Sequence, residues 1–225
     1  MASILRNAKA GSDWTINELR AYNINVVNVD ESEFFGRSID DTINVPQVVF
    51  DDNSYFARYL DLAMALHESE ESAVDDFAVE LFNILGYRTG GRIIRTRKDI
   101  SLFMCGEWTK AKTDVCIMNQ LNILMLLQED KSHLRRHDDP EPQLIAEAIA
   151  AFQHNNTVRV RTLNLEPLDS CVFPCVSMLG TYPTFYKIAV TAELDQAVQL
   201  GEYPENNTTV VHRFNPLLGG RRYNE

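Results

Sequence analysis

The sequence predicts a mixed α/β fold, a central mixed sheet flanked by helices, with extensions at both ends. Three observations predict it. The chain has 225 residues, 45% hydrophobic and 9% aromatic, enough for one large domain with a sizeable core. Short β-rich runs between residues 92 and 131 are bracketed by segments whose apolar residues recur at helical spacing. One run, "NILMLLQEDK" (122–131), is apolar on both faces, as suits a central strand covered on each side.

Residues 1–50 alternate β-rich pieces, "INVVNV" and "INVPQVVF", with acidic and glycine punctuation, and read as an N-terminal lead or small subdomain packed on the core. Residues 51–225 form the main domain. Helical spacing predicts a helix from Asp51 to Leu66. A second follows in "ESAVDDFAVELFNILGY", where Val74, Phe77, Ala78, Leu81, Ile84 and Leu85 share a stripe that Gly86 ends. The period then changes: "RIIRTR", "ISLFMC" and "DVCIM" read as short strands and "NILMLLQEDK" as a fourth. "DDPEPQLIAEAIAAFQHNN" is the clearest helix. Asp139 caps it, Pro140 suits its first turn, and Leu144, Ile145, Ala148, Ile149 and Phe152 form its buried side. "TVRVRTL", "TFYKIAVT" and "TTVVHRF" read as later strands, with "AELDQAVQLG" a helix between the last two.

Composition narrows the functional classes. With 21 basic and 32 acidic residues the net charge is −11, which argues against bulk, sequence-blind nucleic-acid binding but leaves room for a local basic patch at Arg92, Arg95, Arg97 and Lys98. No window approaches the roughly 18 continuous apolar residues of a membrane helix, and the first residues lack the apolar region of a secretory signal, so an intracellular location is expected. Four cysteines are too few for a disulfide scaffold. Cys105 and Cys116 read as buried small hydrophobes, and Cys171 and Cys175 lack a nearby histidine pair for zinc. The histidines read as solvent-facing, and Trp14 and Trp108 as packing anchors.

The chemistry concentrates around residue 114. Along a strand, Ile123, Met125, Leu127, Glu129 and Lys131 project to one side. If Asn119–Asn122 connect this strand to "DVCIM", Met118 faces Ile123, Asp114 faces Leu127, and Asp114 is the diagonal neighbour of Glu129. Two carboxylates and an ammonium then meet at the sheet rim. Mg²⁺ or Mn²⁺ takes oxygen ligands of this kind, and a lysine beside it can stabilise an attacking water. Glu80, one turn after Asp76 on the second helix, offers a third carboxylate.

Asp114, then Glu129-Asp130-Lys131 closing an apolar strand, with Glu80 on a preceding helix ending "ILGY", resembles the PD-(D/E)xK (restriction-endonuclease-like) nuclease superfamily. The resemblance covers roughly residues 70–190 and implies an αβββαβ core. It implies Asp114 and Glu129 as metal ligands, Lys131 as catalytic lysine, Glu80 as supporting acid and Gln143 as a glutamine that some members place near the site. The metal would be Mg²⁺ or Mn²⁺. "QEDKSH…DPEPQLIAEAIAAFQ" with "PTFYKIAVT" is similar to uncharacterised members from mushroom-forming fungi. Thr113 stands where the superfamily's name expects proline, and the acidic net charge departs from a DNA-cleaving enzyme.

Plainer readings stand beside these. Glu129–Lys131 also suits a solvated strand end. Glu80 suits an exposed helix position, and Gln143 with Glu147 a shared surface of one helix. Arg92, Arg95 and Arg97 suit a charged strand edge as well as phosphate contacts. The functional expectation is a divalent-metal-dependent nuclease, homodimeric or monomeric. Against it stand a weak or inactive PD-(D/E)xK-fold protein acting as a binding module, and a structural or storage protein.

Overall fold

The computed structural model describes residues 6–37, 54–65, 72–129 and 139–216, Glu129 by its backbone alone. The expected strand "INVPQVVF" and Lys131 lie outside the described residues.

After a short 3₁₀ turn at Gly11–Asp13 come α1 (Ile16–Ala21), β1 (Ile24–Asn28), α2 (Glu31–Phe35), α3 (Tyr55–Met64) and α4 (Ala73–Ile84). Then follow β2 (Arg92–Met104), β3 (Glu107–Asn119), β4 (Asn122–Glu129), α5 (Pro140–Arg161), β5 (Ser170–Leu179), β6 (Tyr182–Thr191), α6 (Ala192–Leu200) and β7 (Thr209–Phe214). The strands join one seven-stranded mixed sheet in the order β1-β7-β6-β5-β4-β3-β2. Pairing is antiparallel except for β4 with β5 and β1 with β7. The first parallel pair needs a crossover, and α5 supplies it.

Alternation along the central strands sends side chains into two cores. Cys116, Met118, Ile123, Leu126, Phe173 and Cys175 pack under α5, against Leu144, Ile145, Ala148, Ile149 and Phe152. Val115, Ile117, Leu127, Val176 and Met178 pack against Phe56 of α3 and Phe77 and Phe82 of α4. Each such large side chain contributes about 1.5–3 kcal/mol by leaving water.

Three expectations are corrected. "RIIRTR" and "ISLFMC" are one strand, β2; as the edge of the sheet it carries charged residues that a central strand could not bury. "DVCIM" is the second half of β3. "TVRVRTL" is not a strand. Its β-branched valines favour one locally, but no breaker follows Phe152, Val158 is buried, and α5 runs on to Arg161. Arg159 and Arg161 then sit in the last turn, where cations suit the helix dipole.

Candidate functional site

The site is built where β3, β4 and α5 meet. The β3–β4 hairpin starts in the expected register, with Met118 opposite Ile123. Leu124 is then an extra residue on β4, and beyond it Ile117 pairs with Met125 and Val115 with Leu127. One step on, Gln128 and not Leu127 stands across from Asp114. The Asp114–Glu129 diagonal expected from an unbroken hairpin is therefore displaced by one residue. Gln128 Nε2 donates to Asp114 Oδ2 at 2.7 Å, and the Gln128 side chain is buried. On the other flank, β2 pairs Thr96 with Val115 and Lys98 with Thr113 but skips the level between, where Arg97 faces Asp114 with a left-handed φ of 50°. Asp114 thus lies between two irregularities, a placement typical of positions that re-aim side chains.

From the other side comes α5. Asp139 caps it by accepting from Glu141 N. Glu141, in the first turn, is buried and paired with Arg213 at 2.8 Å; its carboxyl is nevertheless held above the ordinary range, because burial outweighs the arginine. Two residues further, Gln143 Nε2 donates to Glu147 Oε1, one turn on, at 3.1 Å. Glu147 is 0% exposed, and its Oε2 has no hydrogen-bond partner among the described residues. Thr113 lies beside it, but the threonine's one proton is directed at the Val115 and Leu127 carbonyls. Burial, with the Asp114 charge adding to it, pushes the Glu147 carboxyl well above its ordinary range. The shift favours the protonated acid, which avoids an uncompensated buried anion.

The residues singled out in the sequence fall in different places. Asp114 is half-buried in this cluster, with Gln143 at its margin. Glu129 ends β4, its backbone level with Met178 of β5. Glu80 is half-buried on α4, where Asn83 of the same helix donates to it at 3.5 Å. The acid of α4 that turns inward is Asp75, buried and 3.9 Å from Arg97 Nε. Arg92 is anchored away from the cluster, near the start of β2: its Nε and Nη2 donate to the carbonyl and hydroxyl of Thr89, and it lies over Tyr87. Arg95 and Arg97 are exposed on the same edge strand. Among the described residues no group of three His, Cys, Asp or Glu side chains is assembled for a metal ion.

Glu147 is the main correction. It reads as a surface position in sequence and is fully buried, because α5 lies flat across the sheet and leaves little of its first three turns exposed. A glutamate within "LIAEAIAAF", with apolar or small residues on all sides, carried the signal. Gln128 was also legible as the last residue of an apolar strand. Trp108 differs from expectation too, being 71% exposed and leaning on Phe103, whereas Trp14 is buried as a packing anchor. His154 is half-buried on Leu121 O.

No protein-family model matches the chain, and no curated protein matches it in sequence.

Proposed function

We propose that the chain is a divalent-metal-dependent nuclease with a PD-(D/E)xK-like core. The order α4-β2-β3-β4-α5-β5, with β4 and β5 parallel across α5, supports this reading because it is the αβββαβ order that the resemblance implies. The observation that carries it is this topology, in which β3 sets Asp114 beside the end of β4, the strand that Glu129 closes.

The donor chemistry suits a hard cation. Asp114 and Glu129 would offer carboxylate oxygens, and the buried Glu147 carboxyl, whose Oε2 has no hydrogen-bond partner among the described residues, lies close enough to Asp114 to feel its charge. Asp114 and Glu129 would hold Mg²⁺ or Mn²⁺, with Glu80 as supporting acid. The bound ion would supply charge neutralisation and a more acidic water. Lys131 would steady the attacking water, and Gln143 would fix the protonated Glu147. Arg92, Arg95 and Arg97, along the edge strand, would contact phosphates and set the path of the nucleic acid.

The test is incubation with single-stranded DNA, duplex DNA and RNA in Mn²⁺. Cleavage should fall about 10²–10⁴-fold in Asp114→Ala and Lys131→Ala. Silence on every substrate would favour a second reading, an interaction module on the same fold. One contact supports that alternative: Gln128 occupies an Asp114 oxygen that a metal would otherwise use. The net charge of −11 leans the same way.

A further inference from the structure

Among the described residues, the sheet side that faces α3 and α4 is incompletely roofed. Those helices cover Val115, Leu127, Val176 and Met178, while the aromatic pair of α2 sits at the far end, where Phe34 and Phe35 meet Phe185 and Phe214. Between them lies a cavity of about 340 Å³. Its floor includes Ile117, Met125, Val176 and Phe185, one residue from each of four neighbouring strands, and Phe34 and Phe35 form a wall. The strands themselves help to open it. β4 and β5 pair only from Leu126 and Cys175 onward, and Pro174, just before, has no N–H to extend the ladder.

Two cations line this apolar space, Arg92 from β2 and Lys187 from β6. Neither has a carboxylate partner among the described residues. Lys187 is the more enclosed in aromatic surroundings: its ammonium lies 4.8 Å from the centre of the Phe34 ring and donates to the Phe34 carbonyl. That bond uses one of three donors and leaves two. An ammonium held against apolar walls with no counter-charge favours an anion over water. The volume is that of a small-molecule site, and a lining of rings and aliphatic groups gives a nucleobase or sugar few partners for its polar atoms.

We propose that this cavity is a binding site for a medium-chain fatty carboxylate, with its hydrocarbon over Met125, Val176 and Phe185 and its carboxylate on Lys187. The site lies on the opposite side of the sheet from Glu147, and its anchoring cation, Lys187, has no part in the nuclease reading.

The experiment is calorimetric titration of the full chain with decanoate, below its micelle concentration, and with decanol as the uncharged control. One decanoate should bind per chain, at least tenfold tighter than decanol. Lys187→Gln should weaken decanoate at least tenfold and leave decanol unchanged. Leu124→Trp, at a 39% exposed position of the lining, should block both ligands while leaving the circular dichroism spectrum and Tm intact. Equal affinity for decanoate and decanol, no saturation with decanoate, or full affinity in both folded variants would overturn the proposal.

Discussion

The two sides of the sheet solve the same covering problem in different ways. On one, the 22-residue α5 lies across the central strands and closes the surface, with Leu144, Ile145, Ile149 and Phe152 at most 1% exposed. On the other, the shorter α2, α3 and α4 cover the ends and leave a cavity between them. The sealed side carries the more demanding polar chemistry. Three amide side chains near the middle of α5 each grip one residue's backbone by both its N–H and its C=O. Gln153 holds Phe103, Asn155 holds Ile123 and Asn156 holds Leu168, all at 2.8–3.2 Å. A long helix laid across the strands can bury polar groups because it reaches backbone partners in several other segments; short helices leave room for something else to enter.

That contrast is broken most severely at Phe152. It is 1% exposed under α5, so Phe152→Ala should cost about 3–5 kcal/mol, read as a lower urea midpoint. Phe35→Ala on the open side, where the ring is 40% exposed, should cost under about 1 kcal/mol. Equal losses at the two positions would mean that both sides are sealed alike.

Asn155 comes next. β4 has no β5 partner at Ile123, so the Asn155 amide stands in for a neighbouring strand, accepting from Ile123 N and donating to Ile123 O at 2.8 Å each. Asn155→Ala leaves both peptide groups without these partners in the interior and should cost about 2–3 kcal/mol. Faster amide exchange at Ile123 than at Leu126, which retains its strand partners, would localise the effect.

How much of this was legible follows from where each feature is decided. The α5 stripe from Leu144 to Phe152 and its Asp139 cap are local patterns, and the helix forms where they place it. The displacement of Asp114 depends on Leu124, one extra residue in a run of leucines, isoleucine and methionine whose periodicity looks unbroken. The run from Thr157 to Leu163 has strand-like alternation, yet the clamps at Asn155 and Asn156 fix the preceding turn as helix and Val158 finds core beneath it. Consecutive amides in "QHNN" read as a polar helix end, because the backbone they bind lies dozens of residues away for Gln153 and Asn155.

The smallest expected effect concerns Glu147, and it probes how far α5 excludes water. The groups facing it are Asp114, whose charge raises its carboxyl further, and the Gln143 amide and Thr113 hydroxyl. Because the folded carboxyl titrates above the unfolded value of about 4.3, the folded chain holds a proton that the unfolded chain has released throughout the interval between them. This group's contribution is therefore fully present below the unfolded value and is lost as pH rises through that interval. Glu147→Gln keeps the shape of the neutral acid, retains an acceptor for Gln143 and does not titrate. The variant should match the parent near pH 4 and become progressively more stable than it as pH rises through that interval. Each kcal/mol of difference appears as about 2–4 °C of Tm in a chain of this size. Parallel Tm–pH profiles for parent and variant would show that Glu147 reaches water in the folded chain, and that α5 does not seal its side of the sheet.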